Sequence, residues 1–153
     1  MLVWSACAAD DPGGWTAAKW GMTIDQVRAA VPDAQILTGN EPKRTINGVL
    51  SPLGVPSLEI GKVTWSVYFL FDQQGHLSAV EINTDTPSVE AYIQTAQLLT
   101  ERYGHPAEET AGGRRSAQWT FATTTIQLRY TYLAAIQMET LWLSYTRPNA
   151  ARI

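Results

Sequence analysis

The sequence predicts an α+β fold in which an antiparallel sheet of about six to eight strands is covered on one face by two helices. Two segments have apolar residues at helical spacing, and each lies between a helix start signal and a helix stop signal. Each is followed by several short runs in which apolar and polar residues alternate, as they do in half-buried strands. Helices must bury their apolar stripes, so packing both on one face of a single sheet is the simplest arrangement.

The first predicted helix follows Thr23, whose hydroxyl oxygen can accept a hydrogen bond from the first helical turn. Gln26 stands three residues later, which is the spacing of a capping box. Pro32 prevents the helix from continuing. The apolar stripe of this helix consists of Ile24, Val27 and Val31.

Strands are predicted between the two helices. Residues 33–62 contain several Pro and Gly residues, which indicate turns between short strands. Those strands are predicted at Gln35–Thr38, Arg44–Leu50 and Ser57–Ile60, with a tight turn at Asn47-Gly48. Val63–Phe71 alternates between apolar and polar residues, and Leu77–Thr84 is predicted to return beside it after a turn.

The second predicted helix is the longer one. Thr86 is its predicted cap, and Pro87 suits the first helical position. Gly104 tolerates the left-handed backbone conformation that ends many helices, and Pro106 prevents continuation. The apolar stripe consists of Val89, Tyr92, Ile93, Ala96, Leu99 and Tyr103.

The remaining chain is predicted to be strands, and the whole is predicted to be one domain. The strands are placed at Ser116–Phe121, Ile126–Tyr132 and Leu141–Tyr145. The domain covers residues 15–148, and residues 149–153 form a loose tail. Because the order of helix and meander occurs twice, residues 20–84 and 87–146 are interpreted as two pseudo-repeats. The sequence identity between the two halves is low, so it remains open whether the repeated order reflects a duplication.

Residues 1–14 are interpreted as a signal remnant or a disordered N-terminus. Met1–Ala9 is apolar, and Ala6-Cys7-Ala8 has the small-x-small form of a signal-peptidase site. Cleavage before Cys7, with a lipid anchor on that residue, is a second interpretation, and a frayed cytosolic N-terminus is a third. A single cysteine excludes a disulfide within the chain.

Charge and hydropathy exclude two classes of partner. The net charge is −3, and the basic residues occur at most in pairs, so nucleic-acid binding is not expected. The uncharged stretches are too short or too polar to span a bilayer, so no transmembrane segment is expected.

The sequence contains no recognisable catalytic, cofactor or metal motif. His76 and His105 each lie beside a turn glycine, without a neighbouring His or Cys, and are interpreted as solvated turn residues. Glu81 and Glu139 lie within predicted strands, where they could face each other across the sheet. They are therefore the candidates for a hydrolytic or ligand-binding site built on buried carboxylates.

The candidate protein-binding surface is the sheet face opposite the helices. If Trp65 and Trp119 pack inward, the alternation directs neighbouring strand residues outward. The surface consists of Tyr68, Leu70, Arg129 and Trp142. Tyr, Trp and Arg are the residue types that carry most interface energy. An ordinary amphipathic sheet surface and a small-molecule cavity between sheet and helices are the alternatives.

Three motifs occur in order in the first half of the chain: Gly21-Met22-Thr23-x-x-Gln26-Val27, Trp65-x-Val67-Tyr68-x-Leu70-Phe71-Asp72 and Gly75-x-Leu77 with Val80. Together they resemble the SmpA/BamE-like lipoprotein domain. Val31-Pro32-Asp33 departs from the family's Leu-Gly-x-Pro, whereas Tyr103-Gly104-His105-Pro106 supplies a similar ending after the second helix. Two such units in tandem would resemble the beta-lactamase-inhibitor-protein fold. The resemblance implies an envelope location and protein–protein contact, without cofactor or catalysis.

The functional expectation is therefore a non-catalytic bacterial envelope protein that binds another protein through a sheet face. Its expected location is periplasmic or secreted, with the cytoplasm as the alternative. The alternative function is a small ligand-binding or hydrolytic domain.

Overall fold

The computed structural model describes residues 9–37, 45–46, 49–50 and 52–148. The predictions for Cys7, for the tight turn at Asn47-Gly48 and for the tail at 149–153 lie outside these residues. The described elements are β1 (Gly14–Trp15), β2 (Ala18–Lys19), α1 (Ile24–Ala30), β3 (Gln35–Ile36), β4 (Thr45–Ile46), β5 (Val49–Leu50), β6 (Leu53–Ile60), β7 (Val63–Phe71), β8 (Leu77–Thr84), α2 (Val89–Tyr103), β9 (Ala107–Ala111), β10 (Arg114–Thr120), β11 (Thr125–Leu133), a 3₁₀ turn (Ala134–Ile136) and β12 (Met138–Thr146).

Eight strands form one antiparallel sheet in the order β3-β6-β7-β8-β12-β11-β10-β9. Two meanders, one from each half of the chain, therefore meet where β8 pairs with β12. The pairs β1–β2 and β4–β5 are separate two-stranded ribbons. The prediction of two helices and an antiparallel sheet is confirmed.

The first helix begins as the capping signal predicts. The Thr23 backbone N–H donates to Gln26 Oε1 (2.9 Å), and the Gln26 backbone N–H donates to Thr23 Oγ1 (3.3 Å). This satisfies two donors at the helix start. Val27 is completely buried, so α1 is held against the sheet mainly through this side chain.

The cap of the second helix differs from the prediction. Ser88, not Thr86, is the N-cap, since the Ala91 backbone N–H donates to Ser88 Oγ (3.0 Å). Thr86 lies in the preceding turn, where its backbone N–H donates to Thr84 Oγ1 (3.2 Å). Pro87 therefore precedes the cap. The helix ends as predicted, at Gly104, with φ of 90°.

We expect Gly104→Val to lower the free energy of unfolding by more than about 1 kcal/mol, because a β-branched residue is strained at this positive φ. A Cβ at Gly104 would meet no atom within 4 Å, so backbone strain alone produces the effect. Urea unfolding measures it, with the exposed neighbour His105→Val as the matched control. Equal stability of the two variants would contradict the account.

The helices and the inner face of the sheet share one hydrophobic core. Trp65 and Trp119 are buried in it, as predicted. The Trp119 indole N–H donates to the Gly104 carbonyl oxygen (2.7 Å), which joins β10 to the end of α2. The indole nitrogen of Trp65 has no hydrogen-bond partner among the described residues.

The chain N-terminal to the predicted boundary at residue 15 belongs partly to this fold. Asp11 accepts hydrogen bonds from the Thr123 backbone N–H (2.7 Å) and from the Thr123 hydroxyl (2.8 Å). These bonds attach the segment before β1 to the β10–β11 turn. The fold therefore includes residues that the sequence placed in a signal remnant or disordered segment.

The expected exposure of Tyr68 and Leu70 is wrong. Both face away from the helices, but only 7% of Tyr68 and 2% of Leu70 is exposed. They form a second small cluster with Leu37 and Ala79, and β5 contacts β7. Leu37 lies over Gly54, where a Cβ would be 3.3 Å from Leu37 Cδ1. The chain after α1 therefore covers this part of the outer face.

Candidate functional site

Two of the four predicted surface residues, Arg129 on β11 and Trp142 on β12, remain accessible on the outer face. Arg129 and Trp142 are directly opposite in the antiparallel register. The Arg129 guanidinium carbon lies 4.9 Å from the centroid of the Trp142 ring, which is a cation–π distance. Both side chains remain partly exposed. Arg129 and Trp142, two of the four predicted surface residues, are thus in contact with each other.

The same face continues to the end of the β11–β12 hairpin. Beyond Arg129 and Trp142, alternate residues on both strands share their orientation. Leu133 and Met138 form the last pair; Leu133 is 48% exposed and Met138 is 49% exposed. We call this row of six residues the hairpin stripe: Arg129, Thr131, Leu133, Met138, Thr140 and Trp142.

The hairpin extends beyond the neighbouring strand. Pairing between β12 and β8 begins at Trp142, opposite Asn83, and continues away from the hairpin end. The residues before Trp142 pair with β11 only. The 3₁₀ turn and Gln137, with φ of 50°, close the hairpin. The apolar end of the β11–β12 hairpin is therefore exposed to solvent, and the two strands that carry it are hydrogen-bonded to each other.

A second arginine, on β10, lies beside the hairpin stripe. Arg114 is paired in register with Thr131, and it lines a shallow depression of about 170 Å³ together with Arg129 and Glu109. Arg114 is exposed and Arg129 is partly exposed, so carboxylates of another molecule can reach both guanidinium groups.

A groove lies on the other side of Trp142. Its volume is about 550 Å³, and Tyr68, Asn83 and Trp142 contribute to its lining. The Asn83 side-chain nitrogen is buried and has no hydrogen-bond partner among the described residues. Tyr68 thus contributes to a groove beside the stripe although it is largely buried. Leu70 does not line this groove.

The two candidate carboxylates do not face each other. Glu81 pairs with Ser144 and points to the outer face. Glu139 has the opposite parity on β12, and its carboxylate accepts a hydrogen bond from the Tyr130 hydroxyl (2.6 Å). The expectation that these residues meet across the sheet is wrong, because an odd offset along β12 places them on different faces.

The histidines offer no convergent site. His76 and His105 are exposed, as their predicted turn positions require. Among residues 9–37 and 52–148, no three His, Cys, Asp or Glu side chains are close enough together to hold a metal ion.

The hydrogen bond with Glu139 raises the pKa of Tyr130 from 10.0 to about 12. The neutral hydroxyl is thus favoured in the folded state, so its contribution to stability is complete below pH 10 and is lost as pH rises through about 12. We expect Glu139→Gln to lower the pKa of Tyr130. Tyrosinate absorbance against pH, with Tyr130→Phe identifying the signal, measures this; an unchanged titration would contradict the assignment.

No known protein family, curated protein or solved structure matches the chain. Among the described residues, no helix has the length and apolar character needed to cross a membrane.

The apolar end of the hairpin was not predicted from the sequence. Residues Tyr132 to Met138 are all exposed, and the signal was the lack of any charged residue between Arg129 and Glu139. From alternation alone, the uncharged residues before Glu139 would be predicted to form a buried strand. Exposure follows only once the hairpin is known to extend past β8.

Proposed function

We propose that the protein is a non-catalytic binding protein that recognises another protein through the hairpin stripe. The observation that carries this proposal is the Arg129–Trp142 pair at one end of the hairpin stripe and the exposed Leu133–Met138 pair at the other end, on one face of one hairpin. Trp and Arg are the side chains whose removal most often weakens protein complexes. Large exposed apolar groups arranged together mark interaction sites.

The stripe defines the chemistry of the partner's surface. Leu133 and Met138 require an apolar depression that excludes water. Arg114 and Arg129 favour carboxylates near that depression. The side chains of Thr131 and Thr140, between the two ends of the hairpin stripe, are short and allow the partner to approach the strands closely there. The partner is therefore a protein with an apolar depression bordered by acidic residues.

A rigid support favours tight association. The stripe lies on two strands that pair with each other along the whole hairpin. Binding then requires ordering of few groups, which reduces the entropy lost on association. Stacking on Trp142 also limits the conformations of the Arg129 side chain in the unbound protein.

Location and internal repetition are part of the same proposal. The resemblance of residues 20–84 to envelope lipoprotein domains supports a periplasmic or secreted location, with the cytoplasm as the alternative. The helix-then-meander order of both halves, joined at β8 and β12, supports two pseudo-repeats.

Site-specific photo-crosslinking in the native host tests the proposal. A benzophenone amino acid replaces Thr140 on the stripe, and the control replaces Gln94, an exposed residue of α2. We expect one discrete protein adduct from position 140 and none from position 94. The Thr140 adduct should disappear when Arg129 and Trp142 are changed to Ala. Adducts from position 94 alone would overturn the proposal.

A further inference from the structure

An apolar cleft lies on the other side of the sheet, between α2 and the end of α1. Its volume is about 700 Å³, which is within the range of small-molecule sites. Its apolar wall includes Trp15, Val31, Leu58, Ile60, Leu99 and Leu143. Helix α1 has seven residues, whereas α2 has 15. The shorter helix covers less of the sheet, and the cleft opens beside its C-terminal end.

Thr95 lines the cleft, and its buried hydroxyl has no partner among the described residues. The residue as a whole is almost completely buried. Thr100, on the same helix, satisfies its own hydroxyl by donating to the Ala96 carbonyl oxygen (2.7 Å). A buried hydroxyl left unpaired is costly, so Thr95 marks a point where an acceptor would be favourable.

The cleft rim carries more negative than positive charge. Asp33 and Glu101 contribute two carboxylates, and Arg102 contributes one guanidinium. A carboxylate ligand would meet net repulsion at this rim. Deeper in the cleft, burial raises the pKa of Tyr145, so its hydroxyl stays neutral. The lining therefore suits an uncharged ligand better than an ionised one.

We propose that this cleft binds an uncharged amphiphile, such as a long-chain alcohol. Its alkyl chain lies against the apolar wall, and its oxygen accepts a hydrogen bond from Thr95. This site is on the helix side of the sheet and is independent of the hairpin stripe. Either proposal can fail without affecting the other.

The first test compares two matched residues of α2. Leu98 lines the cleft and is 41% exposed, whereas Ile93 is 43% exposed and does not line it. Binding of 1-decanol is measured by calorimetry for the wild type, Leu98→Glu and Ile93→Glu. We expect saturable binding to the wild type, unchanged affinity in Ile93→Glu and a loss of at least about tenfold in Leu98→Glu, since a charge then borders the apolar wall.

The second test isolates the hydrogen bond. Thr95→Val keeps the side-chain shape and removes the hydroxyl, and Thr100→Val is the matched control outside the cleft. We expect Thr95→Val to weaken 1-decanol binding by roughly 5- to 15-fold, with the folded state at least as stable as the wild type. Thr100→Val should bind as the wild type does.

Three results with 1-decanol would overturn the proposal. They are the lack of saturable 1-decanol binding to the wild type, equal affinity in Leu98→Glu and Ile93→Glu, and unchanged affinity in Thr95→Val. Decanoate binding more tightly than 1-decanol would also overturn it, since the rim would then favour an anion.

Discussion

Trp65→Ala should lower the free energy of unfolding by about 3–5 kcal/mol, the cost of removing a large buried aromatic side chain. Trp65 is among the largest fully buried side chains of the described chain. It lies on β7, between Leu58 of β6 and Thr84 of β8. The cavity left by Ala would open in the centre of the shared core, where neighbouring strands cannot collapse into it.

Two further variants serve as controls: one retains a ring at position 65, and the other removes a tryptophan from a less buried position. Trp65→Phe should cost less than Trp65→Ala, because it retains a ring and removes an indole N–H that has no partner among the described residues. Trp142→Ala should cost under about 1 kcal/mol, since its ring is on the partly exposed outer face. Urea unfolding measures all three. A larger loss for Trp142→Ala than for Trp65→Ala would contradict the described packing.

Tyr68→Ala should also destabilise the fold, by about 3 kcal/mol. The ring is buried with Leu37 and Leu70 on the outer face, and it holds the segment after α1 against β7. Tyr68→Phe keeps the ring and should be close to the wild type. If Tyr68→Ala were as stable as the wild type, the second cluster would not be structural.

The helices and long strands were largely predictable because their signals are local. The capping box at Thr23 and the alternation of Val63–Phe71 depend on neighbouring residues alone. The predicted cap of α2 was wrong, because Thr86 and Ser88 are both good capping residues, one on either side of Pro87, and the sequence pattern does not distinguish them. Strand β6 extends further than predicted, through Pro56, since a register shift between Val55 and Leu58 accommodates the proline.

The site was predictable only in part, because burial depends on contacts far apart in sequence. Alternation places Tyr68 on the outer face correctly, but Leu37 covers it through packing that alternation does not encode. The contact between Arg129 and Trp142 depends on the register of the β11–β12 hairpin. That register follows from the length and conformation of the Ala134–Ile136 turn, which the sequence did not reveal.

The most direct test of the account is the affinity of the cross-linked partner for the Arg129→Ala, Trp142→Ala double variant, measured beside its urea unfolding. The account predicts a loss of about 2–4 kcal/mol in binding free energy, or roughly 30- to 900-fold in Kd. Stability should change little, because both residues lie on the outer face. Wild-type affinity in a stably folded double variant would contradict the central claim that the hairpin stripe is the binding surface.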